Sequence, residues 1–152
     1  MLEIKNRKSF LELEITWKDN DMFELKITAS NGYFYGCTEV YDTSKSLSDF
    51  STTLIDYPSA NKILVYEIGK KDCFSYFSMK FYPINNYGHI GVEISIEKNV
   101  STEYREEEKD KLKLEIIIEP SAIDRFQKEL FNMAKNETGK SILYGRDNRL
   151  DI

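Results

Sequence analysis

Histidine is almost absent from this chain: His89 is the only one in 152 residues. One imidazole cannot build the His-based metal sites or the nucleophile–base pairs that hydrolases use, unless partners converge on it from elsewhere. Cysteine is scarce too. Cys37 and Cys73 stand alone, with no CxxC pair between them, which argues against a zinc or redox motif and for two partly buried thiols. No apolar run approaches the roughly 20 residues a membrane helix needs. Met1-Leu2-Glu3-Ile4-Lys5 places a glutamate where a secretion signal would be apolar, so a cytoplasmic location is expected. GxSxG, HExxH, phosphate-loop and GxGxxG patterns are all missing, so neither a cofactor nor a metal is expected and the chain does not read as an enzyme.

Aromatic residues are plentiful by contrast. Nineteen Tyr and Phe accompany one Trp and four Met, a balance that favours strands. The net charge is −5, and residues 1–60 hold most of it, with ten acids against six bases. Such a surface repels phosphate backbones, so nucleic acid is not an expected partner, whereas a basic protein is.

Strict alternation marks the strands. Leu11, Leu13, Ile15 and Trp17 alternate with Glu12, Glu14 and Thr16, and Phe23, Leu25, Ile27 and Ala29 alternate with Glu24, Lys26 and Thr28. Lys18-Asp19-Asn20-Asp21 between them is turn chemistry, which predicts a hairpin. Asn31-Gly32 predicts another turn, followed by a strand from Tyr33 to about Tyr41. Leu47, Phe50 and Leu54 then fall on one helical face, with Ser46 and Asp49 at capping-box spacing. The segment 63–68 is apolar on both phases and reads as a central strand. Further strands are predicted over residues 73–82, 90–97 and 112–118. Residues 98–111, with five acids and four bases, read as a solvated hairpin loop. Pro120 opens the best helix, its apolar stripe formed by Ile123, Phe126, Leu130 and Met133. The expected fold is one α+β domain over residues 1–152: a single curved antiparallel sheet of about seven strands with two helices on one face. Its core spans about 10–138, with a flexible tail at 139–152.

The phase opposite the core is acidic and tyrosine-rich. On one continuous sheet it displays Glu12, Glu14, Glu24, Glu93, Glu97 and Glu115, with Phe74, Tyr76, Lys80 and Tyr82. Carboxylate pairs can run glycosidic chemistry, but these have no apolar pocket in the sequence to raise one pKa. Glu12, Glu14, Glu24, Tyr76, Tyr82 and Glu93 are therefore the candidate partner-binding residues, and His89 beside Gly88 is expected to serve a turn.

Four segments carry a resemblance to a known group. They are Gly32-Tyr33-Phe34-Tyr35-Gly36, Leu47-Ser48-Asp49-Phe50, Tyr87-Gly88-His89-Ile90-Gly91-Val92, and Leu114-Glu115-Ile116-Ile117-Ile118-Glu119-Pro120 running into Ile123-Asp124-Arg125-Phe126. In order and type they resemble the WapI-like bacterial immunity proteins, the immunity family of wall-associated-protein toxins, over about residues 10–135. The matching positions are scaffold positions, so no catalytic residue is carried over. The resemblance implies a non-enzymatic cytoplasmic protein that binds and neutralises a cognate polymorphic toxin domain. The alternatives that the residues leave open are a small-molecule binder and a phage- or assembly-associated protein. The oligomeric state is not set by the sequence. Residues 98–111 and the segment after Gly139 depart from the group.

Overall fold

A computed structural model describes residues 8–102 and 105–147, with the backbone alone for residues 100–102 and 105–109. The chain runs β1 (Ser9–Lys18), β2 (Phe23–Asn31), β3 (Tyr35–Asp42), α1 (Ser44–Thr53), β4 (Leu64–Gly69), β5 (Ser75–Pro83), β6 (Ile90–Thr102), β7 (Arg105–Ile118), α2 (Pro120–Asn136) and β8 (Lys140–Tyr144). The mixed α+β class is as expected, but the single seven-stranded sheet is not. There are two antiparallel sheets of four strands, ordered β3-β2-β1-β8 and β4-β5-β6-β7.

The first sheet begins with two hairpins whose turns are set by side chains. Asp19 Oδ1 accepts from the amides of Asp21 (2.8 Å) and Met22 (2.9 Å), and these two bonds hold its carboxyl below the usual aspartate range. Asn31 Oδ1 accepts from Tyr33 N (3.0 Å) and Phe34 N (2.9 Å). Gly32 between them takes a φ of 89°, which a side chain would resist. β8 lies within the expected tail. It pairs with β1 from Lys140 opposite Glu14 to Tyr144 opposite Phe10, and Ser141 and Leu143 point inward and are buried. The tail is thus ordered through Tyr144.

The second sheet corrects two further expectations. β4 is an edge strand, not a central one, and Ile63 and Val65 are exposed there. Residues 98–111 are not a loop: 98–102 and 105–111 continue β6 and β7 as a paired ribbon. β5 stops pairing at Ser75 opposite Lys98, and one step further Phe74 O accepts from Asn99 N (2.8 Å); from there β6 and β7 continue as a two-stranded ribbon.

The inner faces of both sheets and the apolar sides of both helices join in one hydrophobic core. α2 contributes Ile123, Phe126, Leu130 and Met133, as the stripe predicted, and α1 contributes Leu47 and Phe50, with Leu54 just past its end. Thr43, not Ser46, caps α1, its side chain accepting from Ser46 N (3.2 Å). Asp49 instead pairs with Lys45 (2.6 Å).

β3 ties the sheets together by crossing the strands of the second sheet in turn. Gly36 passes β7 so closely that an added Cβ would lie 2.5 Å from Leu112 Cδ2. Thr38 Oγ1 donates to Glu97 O of β6 (2.8 Å). The buried Asp42 carboxylate accepts from Tyr66 OH of β4. Burial, and then the charge and hydrogen bond of Asp42, push the Tyr66 hydroxyl well above its ordinary value.

Candidate interaction surfaces

The six candidate residues do not share one face. Glu12, Glu14 and Glu24 lie on the outer face of the first sheet, and Tyr76, Tyr82 and Glu93 on the outer face of the second. Alternation decides which side of its own strand each residue takes, and it cannot decide which strands are neighbours.

On the first sheet the outward phase forms four cross-strand rows. The first is Tyr144–Phe10–Ser30–Tyr35, and the second is Ile142–Glu12–Thr28–Cys37. The third, Lys140–Glu14–Lys26–Glu39, alternates in charge across all four strands. Glu39 also reaches Lys98 of β6 at 3.2 Å. A bulge between Ile15 and Trp17 turns Trp17 outward to face Glu24 and, beyond it, Tyr41. The Trp17 and Tyr41 rings meet edge-on at 6.2 Å, and Thr16 Oγ1 donates to Glu24 (2.9 Å). Glu24 pushes the Tyr41 hydroxyl up, chiefly as its hydrogen-bond acceptor. The face is therefore less acidic than its glutamates suggest, because Glu14 sits between two lysines. Glu12, between Ile142 and Thr28, and Glu24, between Trp17 and Tyr41, have no cationic neighbour in their rows.

Aromatic residues outside the six candidates flank these charges. Tyr35 is 68 %, Tyr41 53 %, Trp17 49 % and Tyr144 49 % exposed, and Tyr33 and Phe34 stand exposed at the adjoining turn. Phe10, Tyr35 and Tyr41 share the outward phase of the glutamates, so alternation carries the signal for them. Trp17 needs the bulge.

On the second outer face the tyrosines are engaged within the sheet, while the Val65–Lys80 pair is exposed. Tyr76 is only 2 % exposed. Its hydroxyl donates to Glu67, and Lys71 Nζ lies 5.7 Å from its ring centre. Tyr82 OH donates to Glu115 two strands away. The Tyr82 ring covers Gly91, where a Cβ would come within 2.4 Å of Tyr82 Cε2. Burial first, then Glu115, pushes the Tyr82 hydroxyl far up, and burial and then Glu67 act likewise on Tyr76. Glu97 is buried, accepting from Asp72 N (2.9 Å) and Asn99 Nδ2 (3.1 Å). Glu93 is 3.8 Å from Lys113. Tyr76, Tyr82 and Glu97 are thus structural members of the sheet.

His89 is held by its own turn and by the chain after β8. Asn85 Oδ1 accepts from Tyr87 N (2.8 Å), which aims Asn85 Nδ2 at His89 Nδ1 (2.9 Å). His89 Nε2 faces Arg146 (2.8 Å) and Glu119 (3.6 Å). With both ring nitrogens engaged and no Ser or Cys bonded to them among the described residues, the imidazole has no nucleophile to activate. No group of three or more His, Cys, Asp and Glu able to hold a metal occurs among the described residues. Nor, among them, is any helix long and apolar enough to cross a membrane. Cys37 is half-buried, Cys73 is exposed, and both are free thiols.

Open clefts mark the surface. One of about 350 Å³ lies between the start of α2 and the end of β8, lined by Arg125, Tyr144 and Arg146. Another of about 430 Å³ lies between the first half of β3 and the β6–β7 ribbon. Glu119 and Ser121 also line the first, and Cys37, Lys98, Asp110 and Lys111 line the second. No family model, curated protein or solved structure matches the chain.

Proposed function

We propose that this is a non-enzymatic binding protein, a bacterial immunity protein that neutralises a basic toxin domain by docking it on the outer face of the first sheet. The observation that carries the reading is the exposure of Trp17, Tyr35, Tyr41 and Tyr144 on a face that also holds Glu12, Glu14 and Glu24. Tyr and Trp are enriched at protein interfaces, where they supply contact area at a low cost in side-chain entropy. Carboxylates among them steer a cationic partner and speed its association. The resemblance of the scaffold segments to WapI-like immunity proteins supports the toxin as that partner. Of the six candidate residues, Glu12, Glu14 and Glu24 remain for direct contact. Glu93 borders Lys113, and the two tyrosines are committed within their sheet.

Replacing Glu12, Glu14 and Glu24 together by lysine tests the reading. Exposed strand charges contribute little to stability, and although Glu14→Lys completes a row of three lysines with Lys140 and Lys26, circular dichroism should still show the native fold. Protection of cells expressing a toxin domain encoded beside this chain should be lost, and association should slow and lose its salt dependence. A folded triple variant that still protects fully would exclude this face.

A further inference from the structure

We infer that the free edge of β3 is a second binding element, one that accepts a single extended segment of a partner protein as an added strand. The inference does not depend on the outer-face reading. It starts from the hydrogen-bond parity of the β2–β3 hairpin. Asn31 N bonds to Phe34 O (3.2 Å), and the register pairs Ala29 with Gly36 and Ile27 with Thr38. Bonded pairs alternate in an antiparallel ladder, so Gly36, Thr38 and Val40 turn their backbone groups toward β2. Tyr35, Cys37, Glu39 and Tyr41 turn theirs away. β3 ends its sheet, and no described strand pairs with that side.

The ground beside this edge is shaped for one strand. The cleft of about 430 Å³ runs along Tyr35, Gly36 and Cys37, with Ile96 and Leu112 as apolar floor and Lys98, Asp110 and Lys111 beyond. A new strand would lie about 4.8 Å from β3. Lys98 and Asp110 are directly opposed in register and share the phase of Ile96 and Leu112, so they come next on that floor. β6 runs on from Glu97, where Thr38 crosses it, to Thr102, a reach of about 16 Å at 3.3 Å per residue. That ribbon occupies the space where a second copy, pairing through its own β3, would have to put its own second sheet. A lone extended segment carries no such sheet.

The side chains define the segment's chemistry. Its outward residues would stand beside Tyr35, Glu39 and Tyr41, where a base on the segment would take the place of Lys98 as the partner of Glu39. Its inward residues would meet Leu112 and Ile96, which favours aliphatic ones. The fitting partner is an extended stretch alternating basic and β-branched residues, held mainly through its main chain.

The probe is an acetylated, amidated octapeptide alternating Val and Lys, with an analogue N-methylated at every residue so that neither of its edges can pair. Amide hydrogen exchange is followed by NMR. In the free protein the amides of Gly36, Thr38 and Val40 should be protected, and those of Cys37 and Glu39 should exchange quickly. Saturating peptide should slow Cys37 and Glu39 at least tenfold, and the N-methylated analogue should not. Cys37→Pro removes an edge-facing N–H, a change edge strands tolerate, and should abolish the effect while thermal melting stays cooperative. Should that variant not fold, Glu39→Lys should weaken binding at least fivefold. Cys37 and Glu39 protected in the free protein, equal protection by both peptides, or none at 1 mM peptide would each overturn the inference. Those results would leave the outer-face reading standing, because its own test is the lysine triple variant.

Discussion

The two outer faces use the same residue types to opposite ends. On the second sheet, tyrosines are laid down onto carboxylates: Tyr76 on Glu67 and Tyr82 on Glu115, with Glu97 buried under backbone and amide donors. On the first sheet, tyrosines and a tryptophan stand in solvent beside glutamates that are partly matched to lysines in register. One face satisfies the polar groups of its tyrosines internally, although Val65 and, just before β5, Phe74 stay exposed. The other keeps large rings exposed, and most of its carboxylates stay at the surface. Composition does not distinguish a stability element from a recognition element here; the difference lies in where the hydroxyls go.

The comparison presupposes one core beneath both faces, and the strongest perturbation tests that. Phe126 is fully buried on α2 within the shared cluster. Phe126→Ala should cost about 3–5 kcal/mol, read from urea unfolding, and probes on both sheets should move in one transition. Two separate transitions would split the molecule into two folding units.

Tyr82→Ala comes next. It uncovers Gly91 and leaves Glu115 without its donor, so a loss of about 2–3 kcal/mol is expected. Tyr82→Phe, which keeps the ring, should cost only about 1 kcal/mol. A loss for Tyr82→Ala no larger than for the exposed tyrosines would erase the distinction between the faces.

The alkaline limb gives a third separation. Burial pushes the Tyr57 hydroxyl up to about 12 and also raises those of Tyr66 and Tyr82 from an ordinary value of 10.0. Below about pH 10 these hydroxyls are protonated in folded and unfolded chains alike, and their contribution is fully present. Above it the unfolded chain loses protons that the folded chain keeps, so stability should fall as pH rises through about 10 to 12 and beyond. Urea midpoints across that range should show the decline, and Tyr82→Phe should flatten it. A midpoint independent of pH there would mean that these hydroxyls are open to water.

Smallest of all should be Tyr35→Ala, with a change within about 0.5 kcal/mol. Tyr41→Ala should cost up to about 1 kcal/mol, because it also removes the ring contact with Trp17. Melting curves that drop further would show that the exposed rings are structural after all.

Much of the scaffold is legible in the sequence because alternation reports phase. Leu11 and Leu13 on β1, Leu25 and Ile27 on β2, and Ile90, Val92, Ile94 and Ile96 on β6 all face the core as their spacing requires, and so does the α2 stripe. What alternation does not report is partnership. Helix α1 separates a three-stranded meander from a four-stranded one, and nothing in the spacing says that these are different sheets. β4 reads as central because both of its phases are apolar, yet Val65 simply faces solvent. The 98–111 segment reads as a loop because it is charged, but a two-stranded ribbon with no sheet beyond it does not need an apolar side. β8 is five residues long and begins Lys-Ser, too little pattern to separate from a polar tail. At the candidate site the glutamates of β1 and β2 are readable from their phase. The internal commitment of Tyr76 and Tyr82 depends on Glu67 and Glu115, which only the pairing of β4, β5, β6 and β7 brings near.

The pairing of β1 with β8 joins residues 9–18 to residues 140–144. A chain emerges from the ribosome N-terminus first, at about 5–20 residues per second. β1 and β2 can close their hairpin early, yet the other edge of β1 has no partner until β8, from Lys140 on, has been made. For several seconds of each synthesis, then, the first sheet carries an open strand edge able to pair with any nascent neighbour. α2 and β8 emerge together and end that exposure jointly: β8 fills the edge, and Glu129 of α2 accepts from Ile142 N (3.1 Å) on the new outer side. The end of the described chain therefore acts as a closing device for its beginning, and a chain interrupted before Lys140 would be left adhesive rather than merely shorter.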